Sequence, residues 1–426
     1  MTLSLADRTL DRAAGPARLL LLPTDVHDVV SFRGSFETAP DLGRDDDLVQ
    51  SLVTDLLPKG TQHRDRFEVA AALEDRGAFV SFYSDGLRAG FSGKCLRDDL
   101  ADVLALLAEQ LREPAFDDAE VEKAIVRAVA GVRRARESTS GWASGALARR
   151  LYGLDHPNFV LEPSDEEARL GAITAEEVRA YHGAHFGSDS LTIAMAGDVP
   201  VETAVSASEA AFGGWAPHGT EAAFSPEASP EPPGRTLHAM ADRNNLDVRI
   251  GHAVGVRRDS PAYLPLYVGV FALGGNFSSR LMQTIRDEQG LTYGIRAGLG
   301  STDIAYDGHV RVSVTLSQEN LERGIAATQA EVEGFVDDGI GPEALAQVQT
   351  TLAGQHVVSL ATTGGAAARL LVNAQRGFDV GYLDRYPDLI RDLTEAEVTE
   401  AVRQHVRPAD LHVSIAGTPP EAGQRS

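Results

Sequence analysis

Two hydrogen-bond donors, Arg286 and Tyr293, lie seven positions apart in the segment SSRLMQTIRDEQGLTYGIRAGLG, residues 278–300. A guanidinium does not lose its proton at neutral pH and a phenol loses it only reluctantly, so neither is an obvious base or nucleophile. Both are suited to holding an oxygen that gains negative charge, because donation requires no change in their own protonation. The chemistry that this pair indicates is therefore the binding of an oxygen.

The neighbouring residues predict how the pair is positioned. Phe277, Leu281 and Ile285 are spaced four residues apart and form the apolar stripe of a helix. Gly290 suits a left-handed turn that ends this helix, and Tyr293 then lies on the following strand. Because the helix end and the strand start are joined by this short turn, we expect the arginine and tyrosine side chains to converge.

Structural interpretations of the same residues remain open. Arg286 is followed by two acidic residues and could form a surface ion pair. Tyr293 shares strand parity with Leu291 and Ile295, which is typical of a core tyrosine. The turn before the helix consists of Gly274, Gly275 and Asn276. These residues could line a substrate path or could only reverse the direction of the chain.

A proline-rich stretch at residues 216–235 divides the chain almost in half. Its sequence, APHGTEAAFSPEASPEPPGR, contains five prolines and favours an extended, semi-rigid connector. Since 426 residues exceed the size of one usual domain, we expect two domains, residues 1–215 and 236–426. Strands interleaved with helices predict the α+β class: two homologous α/β sandwich domains, each with helices over one face of a mainly antiparallel sheet.

An internal repeat supports two copies of one fold. ITAEEVRAYHGAHFGSDSLTIAMAG (173–197) aligns without gaps with LTEAEVTEAVRQHVRPADLHVSIAG (393–417). Both copies predict a threonine N-cap (Thr174 or Thr394), an amphipathic helix, a short turn and an alternating strand.

The net charge and the cysteine content restrict the classes of binding partner and the cellular compartment that we expect. A net charge of -23 would repel phosphate backbones and anionic lipid, so we expect neither nucleic acid nor a membrane surface as a partner. Cys95 is the only cysteine, which fits a reducing compartment. The first residues lack the pattern of a secretion signal, and the apolar run at 19–22 is too short to span a bilayer. We expect a cytoplasmic protein.

Five stretches follow one another in the order of a known family. They are RGSFETAP (33–40), LPKGT (57–61), AALEDRGA (71–78), YGLDHPN (152–158) and FALGGNFSSRLMQTIRDEQGLTYGI (271–295). With them the chain resembles the insulinase/pitrilysin-like zinc metallopeptidases, or inverzincins. It is most similar to the two-domain subunits of mitochondrial processing peptidase and their bacterial relatives. The last stretch is the most specific.

The metal motif of that family is degenerate in this chain. It requires H-x-x-E-H on a helix, with two histidines on zinc and the glutamate as base. Counting back from LPKGT, the motif falls on SLVTD, where Ser51 and Asp55 replace the histidines and Thr54 replaces the base. The third ligand falls near residues 130–132, which contain no carboxylate. We expect no zinc and no other cofactor in this chain.

Other catalytic groups are poorly supported by the sequence. None of the 12 histidines forms another zinc-protease pattern, and His182 and His185 of HGAH have no acid in register. His185 aligns with His405 across the repeat, which favours packing or capping over metal ligation. A self-sufficient hydrolase is the weakest alternative, because there is no G-x-S-x-G and Cys95 lacks an evident cationic context.

The resemblance implies a role for Arg286 and Tyr293. In the family, R-x-x-x-G-x-x-Y holds the substrate backbone and the scissile carbonyl, and it maps onto Arg286, Gly290 and Tyr293. In two-subunit members one chain carries zinc and base, and the other carries this pair. The resemblance therefore implies that this chain is the non-zinc subunit of a heterodimeric metalloendopeptidase and is inactive alone. Its homologous H-x-x-E-H partner would carry zinc, and the substrate would be a peptide or unfolded polypeptide. The alternative is a catalytically silent structural or peptide-binding subunit of a larger complex.

Overall fold

The computed structural model describes residues 4–420, which form two compact units. Neither unit is one continuous stretch of chain. The first contains residues up to 131, together with 166–224 and 355–386. The second contains residues 132–165, 225–354 and those from 387 onward. The units therefore cross the expected domain limits at residues 215 and 236 in both directions.

Both units of residues 4–420 contain helices and strands. The α-helices are α1 Leu5–Arg8, α2 Asp46–Leu56, α3 Arg66–Glu74, α4 Leu100–Arg112, α5 Asp118–Ala135, α6 Thr139–Leu151, α7 Pro163–Ala172, α8 Ala175–His185, α9 Val201–Phe212, α10 Tyr263–Gly274, α11 Leu321–Asp338, α12 Pro342–Ser359, α13 Thr363–Gln375, α14 Gly381–Arg391 and α15 Glu395–His405. The strands are β1 Leu10–Ala14, β2 Ala17–Pro23, β3 Val29–Glu37, β4 Phe79–Ser84, β5 Arg88–Leu96, β6 Thr192–Gly197, β7 Arg235–Ala239, β8 Asn245–Ala253, β9 Ile295–Gly300, β10 His309–Ser317 and β11 His412–Gly417. No single helix among the described residues is long and apolar enough to cross a membrane, although the bent pair α12 and α13 passes by length and composition.

The sheet of the first unit has the strand order β1-β2-β6-β3-β5-β4. Only β2 and β6 run parallel; the other neighbours are antiparallel. The apolar run Leu19–Leu22 forms the centre of β2, and all four side chains are at most 2% exposed. Since successive side chains of a strand point to opposite faces, both faces of this sheet are covered.

The sheet of the second unit repeats this arrangement with the order β7-β11-β8-β10-β9. Again one pair, β7 and β11, is parallel and the rest are antiparallel. The helix before β6 begins at the N-cap Thr174, and the helix before β11 begins at Thr394. These features confirm the α+β class and two homologous α/β sandwiches with mainly antiparallel sheets.

Helix α13 covers one face of the first unit's sheet, although it comes from the second half of the chain. It packs on β3 and β6. The apolar cluster between them contains Leu20, Leu22, Ala194, Ala196, Ala366, Ala367, Leu370 and Leu371. The expectation of helices over only one face was therefore wrong for this sheet, because it took no account of a helix from distant sequence.

Helix α6 plays the equivalent structural role in the second unit. It comes from the first half of the chain and packs on β8 and β11. Thr139 donates to Asp247 at 2.6 Å, and the buried Arg249 guanidinium donates to Ser144 Oγ at 3.0 Å. Each sheet is thus completed by a helix from the other half of the chain.

The proline-rich connector is extended but anchored. Its first part pairs with the first unit, where Leu42 N donates to Ala223 O at 3.0 Å and Ala223 N donates to Pro40 O at 2.9 Å. Its second part joins the second unit, where Ser225 N donates to Asp155 O at 2.9 Å. The boundary between the units falls at residues 224 and 225, inside this stretch.

Candidate functional site

The degenerate zinc motif lies on α2 in the first unit. Ser51 and Asp55 share an exposed face of the helix. Thr54 points inward, is 4% exposed, and donates its hydroxyl to the Gln50 carbonyl at 2.7 Å. The motif therefore presents one carboxylate and no imidazole, and the position of the general base is occupied by a hydroxyl that already has a backbone partner.

The buried side of α2 is filled by a satisfied polar network. Gln50 is fully buried; its Nε2 donates to Thr38 Oγ1, and its Oε1 accepts from Gly86 N at 3.1 Å. Thr38 Oγ1 in turn donates to Leu87 O at 3.1 Å. Because these polar atoms are paired with one another, the network stabilises the unit without any ion.

The third ligand position lies on α5 and supplies no donor. Ala130, Gly131 and Val132 occupy it, and Val132 is buried. Between residues 4 and 420, no group of three or more His, Cys, Asp or Glu side chains is arranged to hold a metal ion. Zinc requires about four N, O or S ligands, and three from the protein even at open catalytic sites, so this donor set does not fit zinc.

The other candidate groups have packing roles. His182 Nε2 donates to Leu111 O at 2.8 Å, and burial lowers the pKa of this imidazole. His185 Nδ1 donates to Thr38 O at 2.9 Å and stacks on Tyr181. Burial raises the pKa of the Cys95 thiol to about 12, which keeps it protonated and unreactive at neutral pH.

In the second unit, the glycine pair after α10 permits close packing. A Cβ on Gly274 would lie 2.2 Å from Ala297 N of β9, and one on Gly275 would lie 2.5 Å from the Phe271 ring. Gly274 thus lets the helix end lie directly against the strand, and Gly275 leaves room for the Phe271 ring of its own helix. A role in lining a substrate path stays a prediction.

Asn276 organises the turn that follows. Its Oδ1 accepts from Ser278 N and Ser278 Oγ, both at 3.1 Å. Its carbonyl accepts from Ser279 Oγ at 2.6 Å. The turn is therefore held by several hydrogen bonds, and its geometry does not depend on a bound molecule.

Arg286 lies on a π-helical segment, Met282–Glu288, a form that is rare and frequent at functional sites. Leu281 and Ile285 anchor this segment and are fully buried. Phe277, the third member of the expected apolar stripe, is instead 71% exposed, so that part of the expectation was wrong. The residue precedes the helix, within the Asn276 turn, and therefore does not follow the helical period.

The Arg286 guanidinium is accessible at the protein surface. Its side chain is 39% exposed and donates to the exposed carboxylate of Asp287 at 3.0 Å. Its Cζ lies 5.8 Å from the centroid of the Phe277 ring. The surface ion pair anticipated as an alternative is present, and exposed pairs of this kind are weak enough to exchange for another anion.

Tyr293 projects fully into solvent, with 101% relative exposure. It lies before β9 rather than on it, in a connection that starts at Gly290 with φ of 63°. Buried neighbours hold the connection, since Leu291 is 3% exposed and Thr292 Oγ1 donates to Thr315 O at 2.7 Å. Strand placement and the core-tyrosine interpretation were both wrong, because the bend before β9 breaks the strand parity.

The arrangement presents two donors from one anchored segment. Within residues 4–420 the Tyr293 hydroxyl makes no hydrogen bond or ring contact. The structure brings Arg286 together with Phe277 and Asp287, and it places Tyr293 a few residues later on a bend with buried anchors on both sides. The sequence pattern did not predict that Phe277 is exposed, although its position among Asn and Ser residues is typical of a turn.

The YGLDHPN stretch forms a buried network in the same unit. His156 Nδ1 accepts from Asn158 N at 3.0 Å, and its Nε2 lies 3.2 Å from Asp307 Oδ1. The same carboxylate oxygen accepts from Ala228 N of the connector at 3.0 Å. Tyr152 shares a 2.8 Å hydrogen bond with His309 Nδ1. This motif therefore stabilises the fold and anchors the connector.

We expect the free energy of unfolding to fall on acidification because of two buried histidines. Burial lowers the pKa of His252 to about 4 and that of His309 to about 3. A histidine in the unfolded chain has a pKa of about 6.5, so below that pH the unfolded chain binds more protons than the folded one. Each histidine then removes about 2 kcal/mol of stability by about pH 5, which urea unfolding at neutral and acid pH measures.

The variant His252→Gln tests this assignment. It removes one of the histidine titrations, so the pH dependence of unfolding should become less steep between neutral pH and about pH 5. A slope equal to that of the natural chain would contradict the role of His252.

Comparison with known proteins identifies the class that this fold and site define. Residues 51–153 match the family model described as Insulinase (Peptidase family M16), and residues 172–352 match Peptidase M16 inactive domain. Together the two matches cover about two-thirds of the chain. The chain therefore belongs to the insulinase-like peptidase family M16.

Individual relatives agree with this assignment. A Streptomyces coelicolor protein named as a zinc protease is 23% identical over 329 residues, covering 74% of this chain and 69% of its own length. A Helicobacter pylori protein named Non-peptidase homolog YmxG is 20% identical over 367 residues, covering 85% and 83%. The crystal structure of a peptidase M16 inactive domain from Pseudomonas fluorescens superposes with a TM-score of 0.85 at 22% identity, covering 97% of this chain and 98% of its own.

Proposed function

We propose that this chain is the non-zinc subunit of a heterodimeric zinc metalloendopeptidase. One observation carries the proposal: residues 4–420 contain no donor set for zinc but keep Arg286 and Tyr293 accessible on an anchored segment. An exposed tyrosine without a hydrogen-bond partner contributes little to stability, so its presentation is better explained by a bound partner molecule.

The chemistry of the pair suits peptide hydrolysis. The oxygen of an attacked peptide carbonyl gains negative charge in the tetrahedral intermediate, and a fixed donor at that oxygen is worth about 3–4 kcal/mol of barrier. Arg286 would donate from its guanidinium and Tyr293 from its hydroxyl. The ion and the activating base would come from a homologous H-x-x-E-H chain, because the described part of this chain has no group of side chains that could hold the ion.

The substrate would be an extended peptide or an unfolded segment. Strand β9 lies at the edge of its sheet and begins two residues after Tyr293. An extended chain could add to this edge through backbone hydrogen bonds, which bind without regard to side-chain sequence. A peptide lying there would pass the Tyr293 hydroxyl, and Asn276 with its glycine pair would border the path.

A catalytically silent structural or peptide-binding subunit is the second candidate. Two observations favour it: the pairing of Arg286 with Asp287 and the Non-peptidase name of the Helicobacter pylori relative. In that case the arginine–tyrosine pair would be a remnant of the fold, and the partner would cleave equally well without this chain.

Reconstitution with the H-x-x-E-H chain separates these candidates. We would mix the purified chains and follow cleavage of a library of quenched-fluorescence peptides. The proposal expects cleavage only when both chains are present, with zinc recovered from the partner alone. A stable complex whose cleavage rate equals that of the partner by itself would favour the silent subunit.

A further inference from the structure

Arg280 joins the segment that carries Arg286 to the neighbouring helix α11. Its Nε donates to Glu331 Oε2 at 2.9 Å, and its Nη1 donates to Asp338 Oδ2 at 2.8 Å. The Arg280 side chain is 29% exposed and that of Glu331 is 22% exposed, so this ion pair is largely shielded from water. Hydrogen bonds between charged groups are stronger than those between neutral groups, and partial burial strengthens them further. The two carboxylates therefore hold the start of the segment on one helix.

Helix α11 leaves room for this guanidinium. Residue 334 is a glycine, and a Cβ there would lie 2.9 Å from Arg280 Nη2. Glycine inside a helix is less favourable than alanine, so its presence beside the guanidinium is explained by the close approach of the two groups. The Arg280 Cζ also lies 5.9 Å from the centroid of the Phe335 ring, within the range of a cation–π contact. Three side chains and one glycine of α11 thus surround a single guanidinium.

The π-helical geometry makes this attachment important for Arg286. Gln289 N donates to Thr284 O at 3.1 Å, five residues earlier, as the π form requires. Thr284 Oγ1 donates to the Arg280 carbonyl at 3.0 Å, which links the start of the segment to its middle. Since most helical stability in proteins comes from tertiary packing, a short and rare helical form depends on contacts outside itself. Arg280 supplies such a contact on the polar side of the segment.

We propose that Arg280 is a positioning residue for Arg286: by fixing the π-helical segment on α11, it sets where the Arg286 guanidinium meets the oxyanion. The inference rests on the proposed function and adds to it a residue that acts through Arg286 without touching the substrate. Arg280 is committed to this role, because its Nε and Nη1 are paired with carboxylates and its Nη2 lies against Gly334.

Kinetics of the reconstituted two-chain enzyme test this role. Arg280→Gln should lower kcat about tenfold and leave KM within about twofold, because a displaced donor weakens an interaction made only in the transition state. In an Arg286→Ala background the same change should have no further effect, since Arg280 acts through the group already removed. A defect of folding alone would instead multiply with the loss caused by Arg286→Ala.

Glu331→Ala tests the same attachment from helix α11 and keeps Arg280 in place. Alanine is a good helix former, so α11 should still form. This variant should reproduce most of the fall in kcat. In the isolated chain, both variants should speed amide hydrogen exchange of residues 281–290 about tenfold, measured by mass spectrometry, because losing a hydrogen-bonded charge pair weakens local structure by about this factor.

Arg235 provides a matched control in the same unit. Its guanidinium also pairs with α11, donating to the two carboxylate oxygens of Glu322 at 2.7 and 2.6 Å, but it comes from β7 instead of the π-helical segment. Arg235→Gln should therefore leave kcat and the exchange of residues 281–290 unchanged.

The outcomes separate this inference from the function on which it rests. Normal kcat in both Arg280→Gln and Glu331→Ala would overturn the positioning role, and so would a loss that multiplies fully with that of Arg286→Ala. Both results leave the proposed function standing when Arg286→Ala by itself is impaired. Normal cleavage by Arg286→Ala would overturn the proposed function and this inference with it, while the exchange data would still report whether Arg280 fixes the segment.

Discussion

Replacing Arg286 by alanine in the two-chain enzyme is expected to lower kcat by about 10²-fold or more, because the loss of one donor to a developing oxyanion has about this cost. The guanidinium is accessible and is held on a helical segment anchored by buried neighbours. Its removal should change the transition state more than the fold. Steady-state kinetics with a single cleaved peptide measures the effect, and the complex should form with unchanged affinity.

Arg257 is a matched control for this substitution. It lies in the same unit, its side chain is 38% exposed against 39% for Arg286, and it also contacts an acidic residue, Glu227. Arg257→Ala should leave kcat within about twofold, as is usual for an exposed ion pair. A similar loss in both variants would show a general charge effect.

Tyr293→Phe tests the second donor in the same kinetic assay. It removes only a hydroxyl from a fully exposed ring, so it should not affect folding. If both donors bind one oxygen, the double variant should lose less than the product of the two single effects, because groups that act as a unit are not additive. Turnover within about twofold in both single variants would exclude the proposed role.

The second large expected effect concerns assembly of the chain. A fragment of residues 1–224 should not form the first unit, because that unit also requires residues 355–386. Without α13, the apolar face formed by Leu20, Leu22, Ala194 and Ala196 would be open to water. We expect aggregation or loss of cooperative unfolding, which size-exclusion chromatography and circular dichroism would detect.

The complementary fragment, residues 225–426, has the reciprocal defect. It lacks α6, which packs on β8 and β11 and supplies Ser144 to the buried Arg249. Expression of both fragments together should restore a folded two-fragment complex, since every segment of both units is then present. A monomeric 1–224 fragment that unfolds cooperatively by itself would show that the exchanged helix is dispensable.

Local pattern was sufficient for much of the fold. The threonine caps at 174 and 394 formed as expected, because capping depends on residues within one helical turn. The aligned repeat indicated one fold in two copies, and the two sheets share their central strand order.

Local pattern predicted the wrong environment for two residues of the site. Phe277 fitted an apolar stripe but lies in the turn before the π-helical segment. Tyr293 fitted strand parity, but the Thr292 contact to Thr315 bends the chain just before β9. Both errors arise at the end of a helix or strand, where a shift of one residue in the pattern moves a side chain from the core to the surface.

The sequence by itself determined the family, the loss of the zinc motif at Ser51, Thr54 and Asp55, and the retention of Arg286 and Tyr293. These depend on residue identity and spacing along the chain. The tertiary structure alone decided that α6 and α13 exchange sheets and that the donor pair is accessible on a segment anchored by the buried Leu281, Ile285 and Leu291. The physical reason is that burial and long-range packing depend on residues far apart in sequence, which no local period encodes.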